Sequence, residues 1–304
     1  MKTPRFWQHN GWQAVLLTPI SWIYGAITQW RLKRIQPYHS KAKVICIGNI
    51  TAGGVGKTPV ALAMAEQYIA SGKKVVFVTR GYKSKLKNIV VDLTKHSAVE
   101  TGDEARLLAL VAPTVIAPNR AEGAKIAERL GAEIIIMDDG FQNPQLYKDE
   151  SWLVFDGASG VGNGKIIPAG PLRETLEHGQ KRAQYILIMG DDKTHLAQKC
   201  QLPVYYGKLE AQPLELTNRR VLAFAGIGHP EKFYQTLREN GFEVILTHGF
   251  ADHYAYQPKD IEVLVKEAEE QGLTLITTEK DFVKLSAEDK NRVAVLKVRA
   301  IWDK

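Results

Sequence analysis

From residue 44 onward, short apolar runs alternate with longer stretches in which apolar residues recur at three- and four-residue steps. That alternation is the pattern of strands joined by crossover helices on a parallel sheet, so the fold class is α/β. Strands are predicted at Val44–Ile47, Lys74–Thr79, Thr114–Ala117, Glu133–Met137, Trp152–Phe155 and Tyr185–Met189, with helices at Pro59–Ala70, Asp103–Val111 and Arg120–Leu130. Over 203–220 the pattern gives way to Val204-Tyr205-Tyr206-Gly207 and Pro213-Leu214-Glu215-Leu216, separated by polar residues and proline, which reads as strand-like linker. A second, shorter series follows, with strands at Val221–Ala225, Glu243–Leu246, Thr274–Thr277 and Val293–Val298 and helices near 230–239 and 259–271. The expected organisation is an N-terminal helical segment over 1–40, a large α/β domain over 41–207, a linker over 208–220 and a smaller α/β domain over 221–304.

The first forty residues follow a different period. Trp12, Leu16, Ile20, Ile23, Ile27 and Trp30 are spaced by three or four residues and fall on one helical face, with Pro19 expected to kink the helix. Lys2 and Arg5 precede this stripe, and Arg31, Lys33, Arg34, Lys41 and Lys43 follow it, a flanking suited to anionic lipid headgroups. A helix lying on a membrane surface is the reading that uses both features. A helix covering a hydrophobic core and a cleaved signal peptide stand beside it. Gln13, Thr18, Ser21, Thr28 and Gln29 interrupt the apolar run and argue against a span; Gln29-Trp30-Arg31-Leu32 lacks the small residues of a cleavage site.

Composition narrows the picture further. With 304 residues, 45% of them hydrophobic and 24% charged, the chain can bury a substantial core. A net charge of +7 favours an anionic partner: nucleic acid, lipid headgroup or phosphorylated substrate. Nucleic acid gains no second support, because neither zinc-ligand spacing nor the aromatic pattern of an RNA-binding sheet is present. Two cysteines, Cys46 and Cys200, do not make a disulfide framework and read as structural thiols of a reducing compartment.

The chemistry starts where the first strand ends. Val44–Gly48 runs into Asn49-Ile50-Thr51-Ala52-Gly53-Gly54-Val55-Gly56-Lys57-Thr58 and then a helix, the context of a phosphate-binding P-loop. Glycines let backbone N–H groups of Thr51 to Thr58 face phosphate oxygens, Lys57 reaches the outer phosphates and Thr58 supplies a hydroxyl to Mg2+. The strict motif has glycine where this chain has Thr51, so a plain glycine-rich turn is the alternative. A P-loop also needs a carboxylate at the end of a neighbouring strand, and Glu133–Met137 leads into Asp138 and Asp139. Asp-Asp-Gly after a strand also suits a simple turn. Arg80, Arg120 and Arg173 are candidates for holding phosphate or sugar oxygens through their planar forks, against the bland reading of surface salt bridges. Gly157–Gly164 carries four glycines before Lys165 and, without a clear following helix, is expected to be a flexible loop rather than a second phosphate site.

Nine strings together resemble the tetraacyldisaccharide 4'-kinase (lipid A 4'-kinase) family over nearly the whole chain. They are Gly48-Asn49 with Gly-Gly-Val-Gly-Lys-Thr-Pro, Thr79-Arg80-Gly81-Tyr82, Gly102-Asp103-Glu104, Asn119-Arg120 with Gly123, Asp138-Asp139-Gly140-Phe141-Gln142, Pro168–Glu174, Ala225–Gly228, Asp252-His253-Tyr254 and Thr278–Asp281. Lys83 departs from the family, which commonly has glycine there. The resemblance implies a P-loop kinase with ATP and Mg2+, two α/β domains joined by strand linkers and a membrane-associated N-terminal helix on the cytoplasmic face of the bacterial inner membrane. It implies transfer of the γ-phosphoryl group to the 4'-hydroxyl of a tetraacylated diglucosamine 1-phosphate, with no obligatory protein partner.

The same resemblance points to Asp103 and His253 as the proton-handling pair beside Lys57, to Glu104 with Thr58, Asp138 and Asp139 around the metal, and to Asn49 and Gln142 with Arg80, Arg120 and Arg173 at the substrate. Read from the residues alone, Thr101-Gly102-Asp103-Glu104 is a helix-opening capping box and His253 an exposed loop histidine. Lys280 and Asp281 match family motifs without a derivable role. Two rivals remain: a membrane-cycling switch ATPase of the partition or septum-site type, disfavoured by Ala52 where those proteins carry lysine, and a soluble small-molecule kinase.

Overall fold

Strands buried on both faces have to be covered on both faces, and the long apolar runs of this chain are built that way. A computed structural model describes residues 4–303. After a short 3-10 turn at Arg5–Gln8, the first half contains α1 (Trp12–Arg34), β1 (Lys43–Gly48), α2 (Lys57–Ala70), β2 (Val75–Thr79), β3 (Ile89–Val90), α3 (Ala98–Thr101), α4 (Asp103–Ala109), β4 (Thr114–Ile116), α5 (Arg120–Arg129) and β5 (Ile134–Asp138). It continues through β6 (Glu150–Asp156), α6 (Leu176–Gln180), β7 (Tyr185–Met189) and β8 (Val204–Ala211). The remainder holds β9 (Arg220–Ala225), α7 (Pro230–Glu239), β10 (Glu243–Gly249), α8 (Pro258–Glu270), β11 (Thr274–Thr278), α9 (Glu279–Phe282), α10 (Ala287–Lys290), β12 (Ala294–Leu296) and β13 (Val298–Trp302).

These strands form two sheets. The large one has nine strands in the order β13-β8-β7-β6-β1-β5-β2-β4-β3, parallel throughout except for the two edge pairs β13–β8 and β3–β4. Core residues lie on both of its faces: Cys46, Val78, Ile135 and Phe155 on one side, Ile45, Phe77, Ile136 and Val154 on the other. The small sheet, β10-β9-β11-β12, is wholly parallel. Chain order reverses across β1, which pairs with β5 on one side and β6 on the other, and that switch point is where open α/β sheets leave a crevice for ligands.

One predicted strand divides. The run Val293–Val298 is two strands: β12 belongs to the small sheet, and β13 crosses back to pair antiparallel with β8 at the edge of the large one. No glycine or proline punctuates the run, so nothing in its residue types marks the crossing at Lys297. The strand-like stretch starting at Val204 likewise continues to Ala211 to meet its partner.

Helix α1 runs continuously through Pro19 and sits on the protein by its small residues rather than its large ones. Ala14 and Ser21 are buried; Ser21 Oγ donates to the Ile166 carbonyl at 2.7 Å and accepts from the Ala169 N–H, and Lys165 Nζ donates to Thr18 Oγ1. The opposite stripe is open to solvent, with Trp12 73%, Leu16 69% and Trp22 71% exposed, and Ile20, Ile23, Ile27 and Trp30 exposed beside them. A helix that caps a core would face the other way. Among the described residues no helix is long and apolar enough to cross a membrane. Lys2, one of the expected flanking cations, lies outside the described residues, as does the side chain of Lys33.

The glycine-rich stretch 157–164 is not a free loop. Val161 is buried, the Asn163 N–H donates to the Trp7 carbonyl at 2.8 Å, and the Asn163 side chain donates to the carbonyls of Phe6 and Ala169. Its glycines allow close packing beneath the turn that leads into α1.

Candidate active site

The loop between β1 and α2 closes at Gly56, whose φ of +83° is a left-handed conformation that glycine adopts without strain. Lys57 and Thr58 then open α2, so the positive end of a fourteen-residue helix and its free N–H groups face the crevice at the switch point. The start of the loop is held by neighbours. Asn49 is fully buried and its Nδ2 donates to the Thr51 carbonyl at 2.8 Å; the Ala52 N–H donates to Pro171 and the Arg173 N–H to Ile50. Thr51, where the strict motif has glycine, forms a bridge to Leu172. The departure therefore ties the loop to the segment that carries Arg173.

At the end of β5, next to β1, Asp138 is 4% exposed and its Oδ2 accepts from Thr58 Oγ1 at 2.9 Å, while Oδ1 has no partner. Burial, reinforced by the negative charge of Glu104, pushes its carboxyl up to about 7. Asp139, in a left-handed conformation at φ +53°, turns toward Lys57 Nζ at 3.6 Å and Arg173 at 3.2 Å. Burial acts to raise its pKa, but those two cations prevail and hold it below the ordinary carboxylate value. Adjacent carboxylates thus have opposite characters. Gln142 joins them to the loop: Nε2 donates to the Asn49 carbonyl and to Glu174, and Oε1 accepts from Arg173 at 3.3 Å. Glu174, itself buried, also pairs with Arg182.

The capping box foreseen at Thr101–Glu104 lies elsewhere. Ser97 and Glu100 form it at the start of α3, Thr101 donates back to the Ser97 carbonyl, and Gly102 caps α4 with no side-chain bond. Asp103 is released for a different partner. Its Oδ2 lies 2.9 Å from His253 Nδ1, contributed by the loop after β10 of the small sheet. Lys280 and Lys284, from the small sheet's α9 and the turn after it, approach the same oxygen at 3.8 and 3.9 Å. Burial tends to raise the Asp103 carboxyl, yet the His253 hydrogen bond and the two lysines bring it down to about 2. Glu104, the next residue, is raised chiefly by burial, against the attraction of Lys280 and Lys57. Two adjacent residues at the start of α4 thereby meet His253 and feel the charge of Lys57.

Asp281, fully buried, accepts from the Gly226 N–H at 2.9 Å, from Thr278 Oγ1 and from Lys284 Nζ at 2.7 Å. It fixes the end of β11 against β9. Lys284 is invisible in the sequence because nothing distinguishes it from any other lysine after a short amphipathic turn; Glu174 closes the string Pro168–Glu174, but nothing there points to its partners Gln142 and Arg182.

The three arginines separate. Arg173 joins the Asp139–Gln142 group. Arg120 is 2% exposed, donates to the Ala117 carbonyl, leaves Nε without a partner, and is lowered by burial to about 10. Among the described residues it has no ion-pair partner, so it is no surface salt bridge. Arg80 is exposed just beyond β2 and, among the described residues, pairs with no carboxylate. A cleft of about 270 Å³, lined by Trp22, Gly25, Gln29, Ile166, Glu174 and His178, separates α1 from the segment behind Arg173.

Residues 13–304 match the family model described as tetraacyldisaccharide-1-P 4'-kinase. The chain is 43% identical over 312 residues to a tetraacyldisaccharide 4'-kinase of Rhodospirillum rubrum, covering 100% of this chain and 94% of that protein. With the enzyme of the same name from Parvibaculum lavamentivorans it shares 48% over 298 residues, covering 94% and 87%. Its structure superposes on the apo-form crystal structure of LpxK from Aquifex aeolicus in complex with ATP at a TM-score of 0.79 and 27% identity, covering 96% of this chain and 95% of that one.

Proposed function

Because the chain belongs to the tetraacyldisaccharide 4'-kinase family and is an ATP-dependent lipid A 4'-kinase, we propose that Asp103 and His253 take the proton from the sugar hydroxyl while Lys57 holds the phosphoryl group being transferred. The observation that carries this is the Asp103–His253 hydrogen bond, made at the N-terminus of α4 with a residue of the small-sheet half, next to Glu104, which feels the charge of Lys57. An ionised Asp103 can only accept, so His253 Nδ1 carries a proton, and in the neutral ring Nε2 then presents a lone pair. The sugar hydroxyl donates to that lone pair, its oxygen bonds to the γ-phosphorus, and the bond to the β-phosphate oxygen breaks with its electron pair leaving on ADP. Asp103 stabilises the imidazolium that forms. Arg173, Arg120 and Arg80 are read as partners of phosphate or sugar oxygens, with Asn49 and Gln142 keeping the loop and Arg173 in register.

The residues around Asp138 suit Mg2+. The unpartnered, buried Asp138 Oδ1 beside the Thr58 hydroxyl, with Glu104 and Asp139 adjacent, is an oxygen-rich donor set. Among the described residues no three His, Cys, Asp or Glu side chains are grouped to hold a metal ion; Mg2+ in such sites takes one or two carboxylates and completes its shell with phosphate oxygens and water. Bound there, it would neutralise phosphate charge.

The exposed stripe of α1 is read as the contact with the cytoplasmic face of the inner membrane. Its apolar side chains enter the headgroup region while Arg31 and Arg34 meet anionic lipid. The cleft between α1 and Arg173 then lies between that surface and the phosphate loop, on the path of an acylated sugar. The test is to incubate the protein with magnesium, γ-labelled ATP and a tetraacylated diglucosamine 1-phosphate, alongside the Asp103→Ala variant. Transfer to the 4' position that disappears in the variant with ATP binding retained supports the assignment; equal loss of binding and turnover sinks it.

A further inference from the structure

We propose that Lys280 is a further catalytic residue, a cation that rests on His253 until nucleotide is bound and then contacts the γ-phosphoryl oxygens. Two lysines approach Asp103 from the small sheet, and they are held very differently. Lys284 is buried and bolted to Asp281 at 2.7 Å. The side chain of Lys280 is 25% exposed and has three loose neighbours, His253 Nε2 at 3.4 Å, Asp252 Oδ1 at 3.6 Å and Asp103 Oδ2 at 3.8 Å. None of these reaches the 2.7–2.9 Å of a well-made charged hydrogen bond. Its flexible four-carbon stem is therefore free to swing, while its backbone is fixed on α9 by Thr278 and Asp281.

The nitrogen that Lys280 touches decides what it must do. His253 Nδ1 is committed to Asp103, so Nε2 is the acceptor, and an ammonium group has donors alone. Lys280 thus occupies the lone pair that a sugar hydroxyl needs. It has to withdraw before the hydroxyl can be activated, and the strongest new attraction nearby is the triphosphate. Glu104, adjacent to Asp103, feels the charges of both Lys280 and Lys57, so the two cations share the neighbourhood of one carboxylate. Lys57 is meanwhile shared with Asp139. A transition state that spreads charge over three equatorial oxygens is stabilised by a second cation aimed at it. Since Lys280 comes from the small sheet and Lys57 from the large one, this stabilisation is complete when both sheets face the phosphate.

The inference rests on His253 as the base, and one experiment separates the two. Wild type, His253→Ala, Lys280→Met, Lys280→Ala and Lys280→Arg are compared for turnover at saturating substrates, binding of a non-hydrolysable ATP analogue and melting temperature. Lys280→Met is expected to lower kcat about 100-fold with analogue affinity within about threefold of wild type. Lys280→Arg, which keeps the charge, should retain more activity than Lys280→Met, and ethylammonium should restore turnover of Lys280→Ala in a saturable manner. Turnover of Lys280→Met within about threefold of wild type would overturn the proposal. So would a loss that neither the arginine nor the added amine recovers, since that is the behaviour of a structural brace. Full activity of His253→Ala would instead remove the base assignment, whatever Lys280 does.

Discussion

His253 Nδ1 lies 2.9 Å from Asp103 Oδ2, and this hydrogen bond joins the first residue of α4 to the loop after β10 of the small sheet, 150 positions apart in the chain. Neither residue can do its part alone: the carboxylate fixes the ring, and the ring hands its other nitrogen to the crevice. Asp103→Asn is accordingly expected to reduce kcat by about 100- to 10,000-fold, the range for removing a general base or its orienting partner. Affinity for an ATP analogue should stay near wild type. The double variant with His253→Ala should be no worse than the poorer single one, because the two act as one unit; additive losses in steady-state kinetics would show that they act independently.

Asp138 makes the opposite kind of prediction. A carboxyl raised from 3.8 to about 7 by burial costs stability as pH rises above its ordinary value, because the unfolded chain ionises first. That cost is complete above about pH 7. Asp138→Asn should therefore stabilise the nucleotide-free protein more at pH 8 than at pH 5, by up to a few kcal/mol. It should weaken magnesium-dependent nucleotide binding at the same time. Thermal melts at the two pH values check the first part, and a titration with and without magnesium checks the second.

Gly102 sets the position of Asp103. Its φ is +81°, and a Cβ built there would lie 2.6 Å from the Tyr82 carbonyl oxygen. Gly102→Ala should cost roughly 1–3 kcal/mol in a denaturant melt. Turnover should fall by a larger factor than the stability loss would explain, because the strain falls next to Asp103. An unchanged rate with lowered stability would mean that α4 absorbs the shift without moving the carboxylate.

Replacing Trp12, Leu16, Ile23 and Trp30 with serine should leave the fold intact, since all four side chains are exposed to solvent. Sedimentation with vesicles containing anionic lipid should fall by about tenfold or more, while activity on a short-chain, water-soluble disaccharide analogue stays at the wild-type level. A loss of both would mean that the stripe supports the catalytic body instead.

Much of this site was legible in the residue order because its parts are local. Gly53–Thr58 after an apolar strand, and Asp138-Asp139 at the end of another, announce themselves by motif and context. Asp103–His253 required the family resemblance, since Asp103 in a helix-opening string and His253 in a polar loop each have an ordinary explanation. Lys280 and Lys284 gain their meaning through tertiary placement alone. The same holds for β13: its residue types favour a strand, but which sheet it joins depends on a partner almost ninety residues earlier. The face of α1 that touches the body is the one point at which hydrophobicity alone misleads, because small residues pack there and large ones do not.

The return of β13 to the edge of the large sheet bears on how the protein is made. The ribosome delivers β1 to β8 first, then every strand of the small sheet, and only afterwards the strand that pairs with β8. During that interval the outer edge of β8 is exposed with unpaired N–H and C=O groups, a surface on which another nascent chain could seat. The order of synthesis thus makes the small sheet a prerequisite for sealing the large one.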